Sequence, residues 1–246
     1  MCIRDRINSE VFFPKLTQTE EFPTTAQVSA EQFLEAFQQA LKEGYETIIC
    51  FTISSLSSGT YQNANLAKRM LLEEQQADVE IVDSQSFAYV YGKIAQEAAE
   101  MALQGKSKEE ILQQVQYRQE HVDVVFVVDT LKYLKKGGRI NPGVAALGEV
   151  LDIKPVLTIR DGLISVEDKI RGKKRVPVKL MKLLEKKQIT SAKEVVVLHG
   201  SCLETAKEYI AAMKETFGIE DPQIVEVGPV IGVHTGPGVV AVILYY

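Results

Sequence analysis

The stretch TIICFTISSLSSGTYQNA, Thr47 to Ala64, runs from a near-continuous apolar segment into four serines, a glycine and a threonine. An apolar run bounded by turn residues reads as a strand covered on both faces, and the amphipathic pattern that follows Gly59 reads as a helix. In open α/β sheets ligands bind at the carboxyl ends of strands, where a helix N-terminus presents N–H groups and the positive end of its dipole. Ser54, Ser55, Ser58 and Thr60 can each donate there to a carboxylate or phosphate. Taken alone, the same residues serve as well as a helix cap and a solvated turn.

Working outward, VEIVDS and DVVFVVDT read as further strands, and YVYGKIAQEAAEMALQG and SKEEILQQVQYRQE as helices, the second opened by a capping box at Ser107 and Glu110. This alternation between Tyr45 and Thr130 predicts a parallel sheet with helices on both faces. Upstream, FPTTAQVSAEQF places Thr24 and Thr25 just before another capping box, Ser29 with Gln32. Past about Val122 the grammar changes. IKPVLTIRDGLISVEDKI is two alternating segments about Asp161-Gly162, a hairpin signal. Helices follow over Val178–Lys187 and Leu203–Phe217, with EVVVLHG and VVAVILYY as strands. The expected fold class is α/β in two domains: an N-terminal parallel-sheet three-layer domain over 7–120, and a C-terminal α/β domain with antiparallel strands over 121–246. With no linker composition near residue 120, the halves are expected to pack closely.

Composition narrows the function. Of 246 residues 46% are hydrophobic and 25% charged, ordinary globular values, and no apolar run approaches the roughly 20 residues of a membrane helix. A cytoplasmic protein without a transmembrane segment is expected. Three widely spaced cysteines and three histidines offer neither a disulfide framework nor a zinc site. The formal charge of −5 argues against nucleic acid, yet Leu131–Lys187 carries fifteen Lys and Arg against six Asp and Glu. That segment expects an anionic ligand, an acidic partner or plain solvent.

Several stretches can carry chemistry. In DTLKYLKKGGRINPG a short helix ends at Gly137-Gly138, and Arg139 follows where a guanidinium fork can meet an anion. GVHTGPG holds His234 on what reads as a tightly shaped loop. Neither GxxxxGKS/T nor GxGxxG occurs, and no cluster of carboxylates and histidines has metal-ligand spacing. Ser58 and His234 can be drawn as nucleophile and base of an acyl hydrolase or a phosphotransfer enzyme, but GxSxG is missing. A pure interaction module is the remaining alternative.

In this order FPTTAQVS, ISSLSSGTYQNA, VDSQSFAYVYG, DTLKYLKKGGRI, LDIKPVL, KIRGKKR and VIGVHTGPG resemble the DegV family of bacterial fatty-acid-binding proteins, over nearly the whole chain from Ile7. The resemblance implies a two-domain DegV-like fold enclosing one long-chain fatty acid in an apolar tunnel, with the carboxylate at the domain interface. It places Thr25 and Ser58 as hydroxyl donors to that carboxylate, with His234 and Arg139 beside it. It assigns Arg171, with Lys173 and Lys174, to docking on a partner fatty acid kinase, which phosphorylates the bound acid to an acyl phosphate. The chain would then be a carrier without cofactor or catalytic residue. Three positions depart from the family pattern: Ala26 and Val28 in the TSxPS-like stretch, and Ser57 where a leucine is usual. The opening MCIRDR, residues 1–6, matches the translation of a transposon end used in sequencing libraries. It is read as adapter, with the family's first strand lost in front of it, which would expose a sheet edge.

Overall fold

A computed structural model describes residues 7–140 and 153–246. The segment read as adapter lies outside the described residues. The chain forms two compact units. One comprises the residues up to Thr25 with His121–Arg160 and Ile164–Tyr246; the other comprises Ala26–Glu120 with Asp161–Leu163. The chain passes between the units at 25/26 and 120/121, so residues 7–25 lie in the same unit as most of residues 121–246.

The larger unit is built on a six-stranded sheet, made by β3 (Val122–Val127), β4 (Ile153–Arg160), β5 (Leu163–Arg171), β6 (Glu194–His199), β7 (Gln223–Glu226) and β8 (Val240–Tyr245). Its order is β5-β4-β3-β8-β6-β7. β8 lies antiparallel between β3 and β6, and every one of its residues is buried. Asp161 and Gly162 both take positive φ, 49° and 74°, the pair of left-handed residues that a two-residue type I′ hairpin demands. Helices α7 (Val176–Lys186) and α8 (Leu203–Phe217) cover one face, burying Leu180, Leu184, Ala206 and Met213 against Val195, Val197, Val242 and Leu244. The strand DVVFVVDT, expected in the parallel sheet, is β3 of this sheet instead. An apolar run reports that a strand is buried but not which neighbour it pairs with.

Two helices here escape the sequence patterns. α1 (Ser9–Gln18) is capped by Asn8, whose side chain accepts from the Val11 amide. It buries Phe12, Phe13 and Leu16 against Tyr133 and Val233. Pro14 inside it removes an intrahelical bond and disguises the pattern. The other, α9 (Pro229–Thr235), carries His234 in its last turn, so the loop expected at GVHTGPG begins only at Gly236. Pro229 at the first turn is the start signal that locates it.

The smaller unit holds a two-stranded parallel sheet, β1 (Thr47–Thr52) with β2 (Asp78–Asp83). Around it lie α2 (Ala30–Lys42), α3 (Thr60–Glu74), α4 (Tyr89–Leu103) and α5 (Lys108–Glu120). Both capping boxes form: Ser29 with Gln32 at α2, and Ser107 with Glu110 at α5. Phe37, Ala64, Ala67 and Leu71 pack with Val79 and Ile81 as the core. β1 corrects the reading of its sequence. Only Thr52 is buried and Ile48 to Phe51 are half-buried, because among the described residues β1 has a strand on one edge alone.

Candidate functional site

In the smaller unit, the serine-rich turn joins β1 to α3, and its hydroxyls divide into two kinds. Ser54 is fully buried; its Oγ donates to the Gly162 carbonyl at 2.6 Å and accepts from the Leu56 amide at 3.3 Å. Ser57 Oγ reaches the same carbonyl at 3.5 Å. These bonds tie the turn to Gly162. Ser58, half-buried, shares a bond of 2.9 Å with the Thr60 hydroxyl and accepts the Thr60 amide at 3.3 Å. The N-cap position of α3 is Gly59, which makes no side-chain cap. A Cβ at Gly59 would stand 2.0 Å from Gln27 Oε1, so the glycine is where the FPTTAQVS stretch lies against the helix start. Sequence reasoning named Ser54 and Ser58 together; burial and partners separate them. A shallow depression lined by Leu41, Tyr45, Leu72 and Asp78 sits at the other end of β1 and touches none of these residues.

In the larger unit, α6 (Lys132–Lys136) and α9 pack together, and α1 packs on α9. Phe22 stacks on Tyr133 at 6.4 Å between ring centroids, with Lys136 Nζ 5.6 Å from its own ring, which anchors the chain three residues before Thr25. Thr25 Oγ1 then meets His234 Nε2 at 3.0 Å. His234 Nδ1 is buried and has no hydrogen-bond partner. The neutral tautomer with its proton on Nε2 puts the ring's one N–H where an acceptor exists; the other would bury an N–H against nothing. Nε2–H therefore donates to Thr25 Oγ1, and the threonine keeps its own hydrogen for another acceptor. Burial, and after it the charge of Arg139, pushes the imidazole pKa down from 6.5 to about 4, so the ring stays neutral at ordinary pH.

Arg139 is exposed and donates from Nη1 to the Gly137 carbonyl at 2.7 Å. Gly138 adopts φ +66°, the left-handed helix end its sequence predicted, which turns the chain toward Arg139. Gly236 is forced by contact as well as by φ +73°, since a Cβ there would lie 2.2 Å from the Tyr133 ring. The structure thus brings Thr25, His234 and Arg139 into one unit as a hydroxyl, a neutral imidazole and a cation; Ser58 belongs to the other unit. Arg171, Lys173 and Lys174 are all exposed, the first at the end of β5 and the lysines in a 3-10 turn after Gly172.

Among the described residues no cluster of His, Cys, Asp and Glu can hold a metal ion. Nor is any helix long and apolar enough to cross a membrane. Cys50 is half-buried in β1, and burial pushes its thiol up to about 11. His234 Nδ1 against Gly137, and the Phe22–Tyr133 contact, are features the sequence alone did not yield. A glycine pair next to a helix end was their one visible sign.

Compared with known proteins, residues 3–246 match the model of a family described as "Uncharacterised protein, DegV family". A DegV domain-containing protein of Clostridium acetobutylicum is 37% identical over 241 residues, covering 97% of this chain and 84% of that protein. Among solved structures, a DegV family protein from Thermus thermophilus, described by its fatty acid binding, superposes with TM-score 0.82 at 30% identity, over 97% of this chain and 84% of that one. A fatty acid binding DegV family protein from Streptococcus agalactiae gives TM-score 0.87 at 26% identity, with the same coverage of 97% and 84%.

Proposed function

The chain belongs to the DegV family, and from that premise we propose that it is a cytoplasmic carrier that binds one long-chain fatty acid and presents it to a partner kinase. In this reading the Thr25 hydroxyl donates to the carboxylate, Ser58 supplies a second hydroxyl and Arg139 the positive charge. Exposed Arg171, Lys173 and Lys174 dock the kinase, which makes the acyl phosphate. The chain contributes no catalytic residue and needs no cofactor.

The observation that carries the reading is the Thr25–His234 pair beside Arg139. A neutral imidazole cannot balance an anion, but it can hold a hydroxyl with its hydrogen pointing away, ready for a carboxylate oxygen. A hydrogen bond to a charged partner contributes about 1.5–3 kcal/mol, enough to select an acid over an alcohol or ester. The fatty acid binding described for the two solved relatives supports the same ligand class. A Ser58/His234 hydrolase is disfavoured by the same geometry. Nε2 is engaged with Thr25, Nδ1 lies against Gly137, and a ring with pKa of about 4 is a weak base.

Lipid extraction and mass spectrometry of protein purified from a bacterial host test the proposal. A long-chain fatty acid at near one per chain is expected. Reproducible absence of any fatty acid after loading with excess oleate, or turnover of acyl esters with labelling of Ser58 by a serine-reactive probe, would overturn it.

A further inference from the structure

Gly137 occupies a position that its backbone does not explain. Its φ of −74° and ψ of −12° are ordinary right-handed values open to any residue, unlike Gly138 with φ +66°. What excludes a side chain is contact: a Cβ at 137 would stand 2.2 Å from His234 Nδ1 and 3.0 Å from Cε1. Real carbon–nitrogen contacts do not approach so closely, so a side chain here must displace either the imidazole or the helix end that carries residue 137. The helix end is fixed by the Gly137 amide, which donates to the Tyr133 carbonyl at 2.9 Å. Among the described residues the imidazole's hydrogen bond is to Thr25. Meanwhile the Gly137 carbonyl receives the Arg139 guanidinium. One residue is therefore in contact with both the ring and the cation.

We propose that Gly137 is a positioning residue: by lacking a Cβ it admits the His234 ring edge, and so sets the bond that aims the Thr25 hydroxyl. The inference deepens the fatty acid reading and rests on it for its functional consequence, though its structural half stands alone. It gives the paired glycines separate duties. Gly138 supplies a backbone conformation, while Gly137 supplies an empty place. The buried Nδ1, which has no hydrogen-bond partner, is the ring atom that lies nearest the place a side chain at 137 would take.

The test is a four-membered cycle of wild type, Gly137→Ala, His234→Ala and the double variant, read in two ways. The first reading is retention of radiolabelled palmitate. Gly137→Ala should weaken it roughly tenfold, matching His234→Ala, and the double variant should be no worse than His234→Ala, since removing the ring makes room for the methyl group. The second reading is the protonation of His234 by NMR. Its pKa, about 4 in the wild type, should rise toward the usual value in Gly137→Ala as the ring moves into water. Gly138→Ala, which meets no atom within 4 Å, should strain the helix end without changing the His234 titration.

Losses from Gly137→Ala and His234→Ala that multiply in the double variant would overturn the inference, as would a His234 titration unchanged in Gly137→Ala. If the wild type binds no palmitate, the fatty acid reading fails while the titration still decides the role of Gly137. Should Gly137→Ala not fold, restored folding in the double variant supports the fit, and continued failure overturns it.

Discussion

β8 and β1 are written in nearly the same apolar vocabulary, VAVILY and TIICFT, yet the structure uses them differently. β8 is buried at every position between two antiparallel neighbours. β1 has one parallel neighbour, and four of its six residues are only half-buried. A continuous apolar run therefore measures how much a strand can bury. How much it does bury depends on neighbours supplied elsewhere in the chain.

The sharpest way to break this comparison is to truncate one side chain in each strand. Leu244→Ala in β8, at 0% exposure, should cost about 2–5 kcal/mol in urea unfolding. Ile49→Ala in β1 should cost roughly half as much or less, because less apolar area leaves water there. Equal losses would show that β1 is covered after all.

The second contrast lies within the serine-rich turn. Ser58→Ala should weaken fatty acid retention by about 1.5–3 kcal/mol, roughly ten- to a hundredfold, with little change in Tm. Ser54→Ala should do the reverse. It leaves the Gly162 carbonyl without its buried donor and costs about 1–3 kcal/mol of stability, read from the shift in Tm, while ligand affinity changes little. If the two variants gave the same pattern, the division between turn and ligand hydroxyls would be wrong.

The smallest effect concerns pH. The folded chain holds the His234 pKa at about 4, below its usual 6.5. Between those values the unfolded chain takes up a proton that the fold refuses. The neutral ring's contribution is fully present above pH 6.5 and is lost as pH falls toward 4. Denaturation curves at pH 7.5, 6 and 4.5 should show a steeper decline for the wild type than for His234→Gln. Parallel curves would mean that the imidazole is exposed enough to titrate normally.

Much of this was legible in the sequence because local rules act over a few residues. The capping boxes at Ser29 and Ser107, the Asp161-Gly162 turn and the helix Leu203–Phe217 need only their own neighbours to be recognised. Partnership between distant segments was not legible. Nothing within DVVFVV says that it pairs with VAVILY, and nothing within GVHTGPG says that Thr25 is its neighbour. α1 was hidden by Pro14, a residue that argues against the helix it occupies. The candidate site was visible as residue types, a hydroxyl, an imidazole and a guanidinium. Their division between two units and the closeness of His234 to Gly137 required coordinates.

The place of β8 also bears on how the molecule is made. It is the last strand of the described chain and lies third from one edge and fourth from the other, holding the two halves of the six-stranded sheet together. Ala26–Glu120, all of the smaller unit except Asp161–Leu163, is made well before β8. Phe12 and Phe13, by contrast, wait for partners near Val233, and the sheet waits for Val240–Tyr245. The larger unit therefore completes its sheet only once Val240–Tyr245 has been made, and until then α1 stays open to chaperones and proteases.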